Sequence, residues 1–514
     1  MQKNIFSKNS GSKVNIGFIT ILGIFTILRL LSWSNLTVLE DHDSIQYLKL
    51  ISFFKNFTFE GLLNLGADDL ILYPFFGAII SWFGFSIEFS ARLATFISTL
   101  ILFYFVYAIG KEIWDKKVAL VGVLLFAINP FLISFSYAVL TEPTYITIVY
   151  YGVLLFLKYI SAPKIKSAVV LGIIFGLSFI ARTEGIIFIV AIPIIQFSHY
   201  LFYKNRNYKI KDFIVWTFSF IIIFGAVVSP QILRVSNKMD TFSINGRQAW
   251  MKLLKSDIKK SNDELIYGLD YSPSKINIHA VQSNPEIYHS LRSESNIQDQ
   301  IKTFVYTYDE LFNIKLSSFF GLSTIVFFGF GFFYLVKRGE VFKILFVFLF
   351  LGVFLFPPLL HNVVTRHIAI IGPIIFVISG GGIYYFSKSI LKNFPKFDQI
   401  KNRSLYTSIF IILIIAVLSG HSLYMSLIKP TENLEYSEAD YLEPIQKLNK
   451  NLGSNKSQKH LIISRKNYFP YFAKVNSIAT PYSSYKKLIE YAKLNDTKYI
   501  FIDYINLMEF PFIK

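Results

Sequence analysis

The stretch DLILYPFFGAIISWFG, residues 69–84, decides how the fold of this chain is predicted. It is apolar, but it is short and a proline interrupts it, whereas a membrane-spanning helix needs about 20 predominantly apolar residues. Eleven other apolar runs predict a polytopic α-helical membrane protein. The side of the membrane on which each later loop lies depends on whether 69–84 also spans it. These runs fall near residues 14–33, 93–110, 118–135, 144–160, 167–182, 185–203, 213–232, 319–336, 341–360, 368–386 and 405–427.

The basic loops between these runs indicate the orientation. If 69–84 only lies on or dips into the membrane, every strongly basic loop falls on one side, and lysine and arginine concentrate in cytoplasmic loops. We therefore predict eleven spans, a cytoplasmic N-terminus and an extracytoplasmic C-terminus. The formal net charge of +18 then reflects topology rather than nucleic-acid binding. The basic loops read GKEIWDKK, KYISAPKIK, YKNRNYKIKD, KRGEVFK and SKSILKNFPKFDQIKNR.

The same topology divides the chain into three parts. Residues 1–13 form a cytoplasmic lead, and residues 14–428 a transmembrane domain with outer loops 34–92 and 233–318. Residues 429–514 are less hydrophobic and alternate between helix and strand patterns, which predicts a small extracytoplasmic α/β domain. The chain has no cysteine, which excludes disulfides, a thiolate nucleophile and cysteine-ligated metals.

Carboxylates recur where the chain leaves the membrane on the predicted outer side. Asp41 and Asp43 follow the first run, in LEDHDSIQYLKL, residues 39–50. The simpler interpretation is that Asp43 caps a helix, since Asp43-Ser-Ile-Gln46 fits a capping box, and a cap is compatible with catalysis. Glu142 lies at a membrane edge, where a carboxylate is costly unless it is solvated or used.

Three arginines share this predicted face: Arg182 in ARTEG, Arg234 directly after a span, and Arg366 in the turn HNVVTRH. Guanidinium groups suit a phosphate or pyrophosphate because they donate two parallel hydrogen bonds. A nearby carboxylate suits general-base activation of a hydroxyl. Electrostatic stabilisation of a departing phosphate is among the larger contributions to the rate that a transferase can use. The residues therefore predict a lipid-phosphate substrate at the outer face.

Some of these residues have simpler interpretations. Arg182 and Glu184 could form no more than a local ion pair at a helix junction. His361 and His367, which flank Arg366, could bind a metal, although solvated histidines are commoner. Whether a divalent cation is bound stays open, because two acids alone do not make a metal site.

A set of short motifs runs in order from residue 14 to about residue 386. They are Asp43-Ser-Ile-Gln-Tyr47, Tyr73-Pro74-Phe75-Phe76, Arg92-Leu93, NPFLISFSYAVLTEP, ARTEG, Pro230-Gln-Ile-Leu-Arg234 and Arg366-His367. This order resembles the GT-C superfamily of polyprenyl-phosphate-sugar glycosyltransferases. The most similar branch holds the protein O-mannosyltransferases and the bacterial aminoarabinose transferase of lipid A.

The resemblance implies an inverting sugar transfer from a polyprenyl-phosphate donor to a protein, lipid or glycan acceptor at the extracytoplasmic face. Asp43 would deprotonate the acceptor, and Arg182, Arg234 or Arg366 would stabilise the departing polyprenyl phosphate. Asp41 or Glu142 would orient the acceptor or hold a divalent cation. The resemblance gives supporting roles to Tyr47, Glu184 and His367.

The chain departs from this pattern in places, and other classes stay open. Many relatives carry Lys or His beside the interfacial prolines as a phosphate ligand, whereas this chain has Tyr73. An O-antigen-type polymerase or ligase would lack the early acidic motif. A transporter of lipid-linked glycans would show repeat symmetry or charges in the middle of spans, whereas the charges here cluster at span ends, with Arg29, close to an outer end, as the main exception.

Overall fold

The computed structural model of the chain describes most of its predicted spans. It covers residues 16–34, 42–56, 65, 69–202, 208–239, 242–244, 305, 308–309, 311–312, 316–359, 368–393, 403–428, 443–448, 450, 461–464, 468–478 and 485–502. Four residues singled out from the sequence lie outside these ranges, namely Asp41, His361, Arg366 and His367.

The described residues are mostly helical. The helices are α1 (Ile16–Ser34), α2 (His42–Lys55), α3 (Leu72–Ser81), α4 (Ile87–Ile113), α5 (Lys116–Ile128), α6 (Pro130–Phe135), α7 (Glu142–Tyr159), α8 (Ile165–Ala181), α9 (Phe188–Phe202), α10 (Ile210–Met239), α11 (Leu316–Phe320), α12 (Leu322–Lys337), α13 (Val341–Leu359), α14 (Gly372–Lys392), α15 (Arg403–Ile428), α16 (Tyr468–Ala473) and α17 (Tyr485–Leu494). Each apolar run predicted from the sequence contains a helix, and the run near 118–135 breaks at Asn129 into α5 and α6.

Several of these helices suit a membrane. Within the described residues, five are long and apolar enough to cross it by length and composition. Shorter apolar helices, among them α8, α12 and α13, lie between them. The protein is therefore a multi-pass membrane protein, and the number of eleven spans stays a prediction. The five long candidates are Ile16–Trp33, Ile87–Ile113, Thr183–Phe202, Ile210–Lys238 and Ala369–Lys392.

The interrupted stretch at 69–84 contains only α3, which is ten residues long. Such a helix rises about 15 Å, half of the roughly 30 Å hydrocarbon core of a bilayer. Its buried side, which includes Tyr73 and Ala78, packs against α2 and α4. This length supports the prediction that 69–84 does not cross the membrane.

The centre of the bundle depends on glycines that let three helices approach closely. α14 packs against α12 on one side and α5 on the other. A Cβ added at Gly382 would overlap the backbone oxygen of Phe327, and one added at Gly380 would lie 2.5 Å from the backbone nitrogen of Gly122. Close backbone approach through small residues is typical of helix packing in membranes.

Gly382→Ala is therefore expected to destabilise the folded protein by about 1–3 kcal/mol or more, the usual cost of overpacking. The obstacle is a backbone carbonyl, so α12 and α14 must separate. Gly329→Ala, on α12, is the matched control, because a Cβ there meets nothing within 4 Å. Thermal unfolding of the two purified variants in the same detergent checks this, and equal melting temperatures would contradict the packing described.

The C-terminal residues form a parallel sheet of three strands, β1 (Leu461–Ser464), β2 (Asn476–Ile478) and β3 (Tyr499–Phe501), in the order β2-β1-β3. β1, β3 and the amphipathic helix α17 lie where HLIIS, KYIFID and SSYKKLIEYAKLND predict two strands and a helix, whereas no sequence pattern predicts β2. Whether residues 429–514 form a separate extracytoplasmic domain stays a prediction.

This sheet packs against α2. Ile462 of β1 and Phe469 of α16 share one buried core with Ile45, Leu48 and Ile51 of α2. The aromatic rings of Phe469 and Phe501 stack with centroids 3.9 Å apart. The C-terminal sheet and the helix that carries Asp43 therefore lie at the same end of the bundle.

Candidate active site

Asp43 lies in the first turn of α2. The helix as described begins at His42, so Asp43 is its second residue, and the interpretation of Asp43 as the residue that caps the helix is wrong. A carboxylate is still favoured there, because the N-terminus of a helix carries a partial positive charge. Ile45 and Leu48, on the same helix, are buried, whereas Asp43 is partly exposed. Its carboxylate thus stands at the solvent edge of a firmly packed helix.

Tyr47, one turn after Asp43, connects it to residues from other elements. The phenol is 7% exposed, is hydrogen-bonded with Thr141, and meets the ring of Tyr73 edge-on with centroids 5.7 Å apart. Burial, reinforced by the charges of Asp43 and Glu142, raises the pKa of Tyr47 above its usual range. The phenol therefore stays neutral and keeps its proton available as a hydrogen-bond donor.

Arg182 binds two carboxylates at once. Its Nη1 lies 2.6 Å from Glu142 Oε1 and its Nη2 lies 2.6 Å from Glu184 Oε1, while Nη1 also donates to Thr141 Oγ1 at 3.2 Å. The side chain of Glu142 is 4% exposed and that of Glu184 is 49% exposed. The local ion pair considered from the sequence is present, and it extends to a buried acid 40 residues earlier in the chain.

The backbone of ARTEG places this guanidinium. α8 ends at Ala181, Arg182 has an extended conformation, and a 3₁₀ turn follows over Thr183–Ile187. A Cβ added at Gly185 would lie 2.5 Å from the backbone nitrogen of Phe179, so the turn can fold back on α8 only with glycine at this position. A steric requirement therefore explains why the ARTEG motif has glycine at position 185.

Glu142 is held at the start of α7 by the segment before it. Proline at position 143 is suited to the first turn of a helix, where its missing N–H costs nothing. Three buried side chains fix the backbone ahead of that turn. They are Arg29, which donates to Ser136 Oγ at 2.7 Å, Arg92, which donates to Tyr137 O at 3.1 Å, and Thr95, which donates to Ala138 O at 2.8 Å.

A second group of polar residues, the Asp69 junction, comprises Asp69, Gln46, Arg234 and Lys238. Arg234 Nη2 donates to the backbone oxygen of Asp69 at 3.1 Å, and Gln46 Nε2 donates to Asp69 Oδ1 at 2.8 Å. Lys238, one turn after Arg234 on α10, lies close enough to Arg234 and Asp69 for the charges to interact. The junction joins α2 and α10 immediately before α3.

Tyr73 does not take the place of the Lys or His that many relatives carry. Its side chain is fully buried, and its hydroxyl donates to the backbone oxygen of Ala91 at 3.1 Å. The Thr95 hydroxyl lies 3.3 Å from the Tyr73 hydroxyl. This phenol holds α3 against α4 and does not point to the surface where Arg234 lies.

The structure thus brings together five of the residues predicted for the site, namely Asp43, Tyr47, Glu142, Arg182 and Glu184. Arg234 reaches the same helix, α2, through Asp69 and Gln46. The sequence interpretation missed Thr141, Asp69 and Lys238. Lys238 had a usable signal, because its spacing of four residues from Arg234 puts both on one helical face.

The described acids do not form a metal site on their own. Among the residues that the structure covers, no three acidic or histidine side chains are grouped as metal ligands. Glu142 is already paired with Arg182, which leaves Asp43 as a single described acid at this edge of the cluster.

Residues 72–233 match the family model described as dolichyl-phosphate-mannose-protein mannosyltransferase. This segment begins with α3 and contains Glu142, Arg182 and Glu184. The resemblance to the GT-C superfamily is confirmed, and the chain is a glycosyltransferase. A search of curated proteins gives no match.

Solved structures resemble this glycosyltransferase over nearly its whole length. The oligosaccharyltransferase of Archaeoglobus fulgidus in its apo form has a TM-score of 0.62 and 13% identity, and the match covers 93% of this chain and 69% of that one. Its complex with an inhibitory peptide and a dolichol-phosphate has a TM-score of 0.58 at 13% identity, over 94% and 69%. Its complex with Zn and sulfate has a TM-score of 0.58 at 14% identity, over 93% and 66%. At such low identity the likeness shows the fold alone.

Proposed function

We propose that this glycosyltransferase moves a sugar from a polyprenyl-phosphate donor to an acceptor at the extracytoplasmic face of the membrane, with inversion at the anomeric carbon. The observation that carries the proposal is that Asp43 of α2 and the Glu142–Arg182 pair, from α7 and the end of α8, all lie close enough to Tyr47 for their charges to act on its phenol. The family description and the complex of a similar fold with a dolichol-phosphate support a lipid-linked donor.

In this proposal Asp43 is the general base. The acceptor hydroxyl, or a similar nucleophile, gives its proton to the Asp43 carboxylate and attacks the anomeric carbon from the face opposite the phosphate. The bond between that carbon and the phosphate oxygen breaks, and its electron pair leaves with the polyprenyl phosphate. Asp43 suits this role because it is partly exposed while its helix is held by a buried core.

Glu142, Arg182 and Tyr47 hold the acceptor side of the site in this proposal. All three polar edges of the Arg182 guanidinium already face Glu142, Glu184 or Thr141, which favours a positioning role over direct binding of the donor phosphate. Arg234 lies apart from this cluster and is the described arginine that we assign to the phosphate. Arg366 stays a second candidate for the phosphate, and Asp41 and His367 stay candidates for supporting roles.

Purified protein in lipid nanodiscs tests the proposal. With a polyprenyl-phosphate sugar and envelope membranes as the acceptor source, it should release polyprenyl phosphate, which mass spectrometry detects. The same preparation should be inert with nucleotide sugars, because the proposed donor is a sugar carried on a lipid phosphate. Efficient transfer directly from a nucleotide sugar would contradict the proposed donor class.

The orientation has its own test, because the chain has no cysteine that would react in the background. Single cysteine replacements at Lys116, in a basic loop, and at Ser283, in the long outer loop, report opposite sides. A membrane-impermeant maleimide added to intact cells should label position 283 and leave position 116 unlabelled. Labelling of position 116 from outside would reverse the proposed topology.

A further inference from the structure

Tyr145 is a buried tyrosine that has no part in the mechanism proposed above. It lies one turn after Glu142 on α7, and only 4% of the residue is exposed. Within the described part of the chain, no residue is hydrogen-bonded to its hydroxyl. A buried hydroxyl without a partner is costly, and buried polar groups in proteins are nearly always hydrogen-bonded. We therefore expect the partner of this hydroxyl to come from outside the chain.

Tyr150, on the same helix, shows what a phenol with partners does there. Its hydroxyl donates to the backbone oxygen of Ile370 at 2.7 Å and accepts from the backbone N–H of Ile374 at 3.2 Å. It thus satisfies one of the N–H groups that have no partner within the first turn of α14. The hydroxyl of Tyr150 therefore stabilises the packing of two helices, whereas that of Tyr145 makes no such contribution.

Tyr145 lies beside the charged cluster of the candidate active site. The charges of Glu184 and Arg182 act on its phenol, just as the charge of Glu142 acts on that of Tyr47. Each carboxylate that pairs with Arg182 is thus associated with a different tyrosine. The side chain of Glu184 is half-exposed, so a substrate that enters from solvent contacts Glu184 before it reaches Tyr145.

We propose that Tyr145 and Glu184 bind one hydroxyl group of the transferred sugar and so help to select it. This inference rests on the proposed function and adds a residue that contacts the substrate. A carboxylate accepts a hydrogen bond from a sugar hydroxyl, and a phenol donates one to the same oxygen. The Glu184 side chain turns toward solvent to admit the ring, and the sugar oxygen then supplies the partner that the buried phenol lacks.

The chemistry that this pair recognises is a saccharide hydroxyl, which a donor or a glycan acceptor could supply. We commit to the donor, because a glycosyltransferase takes a sugar into its site in every reaction, whatever its acceptor is. A sugar without this hydroxyl would leave both side chains unpaired. Sites built to bind a hydroxyl discriminate strongly against analogues that lack it.

Tyr145→Phe removes only the hydroxyl and tests this with the full-length protein in lipid nanodiscs. The probe is the polyprenyl-phosphate sugar fraction extracted from membranes of the source organism, with envelope membranes as the acceptor source. The KM for this donor fraction should rise about tenfold, the scale of one lost hydrogen bond. The kcat and the KM for the acceptor should change little, since the hydroxyl does not contact the reacting atoms.

The melting temperature distinguishes this role from a structural one. Tyr145→Phe should melt at or above the native temperature, because no hydrogen bond within the described protein is lost. Tyr150→Phe is the matched control, since it makes the same change on the same helix but breaks two hydrogen bonds. It should melt a few degrees lower and keep the native KM for the donor fraction.

A double-mutant cycle tests whether Tyr145 and Glu184 bind the same hydroxyl. Glu184→Gln should also raise the KM for the donor fraction. The combined variant should lose less than the product of the two single losses, because residues that share a partner are not additive. Fully independent losses would contradict the shared hydroxyl.

Three results would overturn the inference about Tyr145. They are a native KM for the donor fraction in Tyr145→Phe, a rise confined to the KM for the acceptor, and a melting temperature as low as that of Tyr150→Phe. If the native protein releases polyprenyl phosphate and Tyr145→Phe matches it in every respect, the transferase proposal stands without this residue. If the native protein releases none from this fraction, the proposed function fails and the inference fails with it.

Discussion

Asp43→Asn is expected to lower the rate of sugar transfer by about two to four orders of magnitude, the usual contribution of a general base. Asparagine has nearly the same shape but cannot take the proton of the acceptor. The fold should survive, because Asp43 is partly exposed and the buried face of α2 is unchanged. The measurement is the initial rate of polyprenyl phosphate release, together with the melting temperature of the purified variant.

Asp41→Asn is the comparison variant, since it neutralises the other carboxylate of the motif two residues earlier. It should cause a smaller loss than Asp43→Asn. If Asp43→Asn turned over at nearly the native rate and Asp41→Asn did not, the catalytic base would be Asp41. If both variants were fully active, the general base would not be in this motif at all.

Arg182→Ala is expected to destabilise the protein by about 3–5 kcal/mol, because it leaves a buried carboxylate without its partner. Glu142, with only 4% of its side chain exposed, would lose the guanidinium 2.6 Å away. Loss of the ion pair with the exposed Glu184 should destabilise the protein much less, since water can solvate that carboxylate. A large drop in the apparent melting temperature in detergent should therefore accompany the loss of transfer.

The double variant Arg182→Ala with Glu142→Gln identifies the cause. Removing the buried charge together with its partner should restore a substantial part of the melting temperature, although not the activity. Arg182→Ala with Glu184→Gln is the matched control and should restore little. A double variant at Glu142 no more stable than Arg182→Ala alone would show that the guanidinium stabilises the fold through other contacts.

The parts of the site that short motifs encode could be predicted from the sequence. ARTEG and the Asp43–Tyr47 spacing are local patterns, and their residues do meet. The order of the helices along the chain follows from the apolar run lengths, and these lengths together with the loop charges predict that 69–84 does not span the membrane. These are properties of neighbouring residues, so no knowledge of tertiary packing was needed.

Other contacts had no local signal. Arg234 is directed to a backbone oxygen of Asp69, and every residue carries a backbone oxygen, so the side chains involved do not reveal it. The pairing of Arg182 with Glu142 spans two helices that only tertiary packing brings together. The burial of Tyr73 likewise depends on how α3 lies against α4, which a motif comparison does not contain.

The docking of the C-terminal sheet on α2 has a consequence for synthesis. The core partners of α2, Ile462 and Phe469, are translated more than 400 residues after it, and contacts so distant in sequence form late. Until then the apolar side of the helix that carries Asp43 lacks part of the hydrophobic core that buries it. The helix that carries Asp43 is therefore fully packed only after β1 and α16 have been translated and have docked on it.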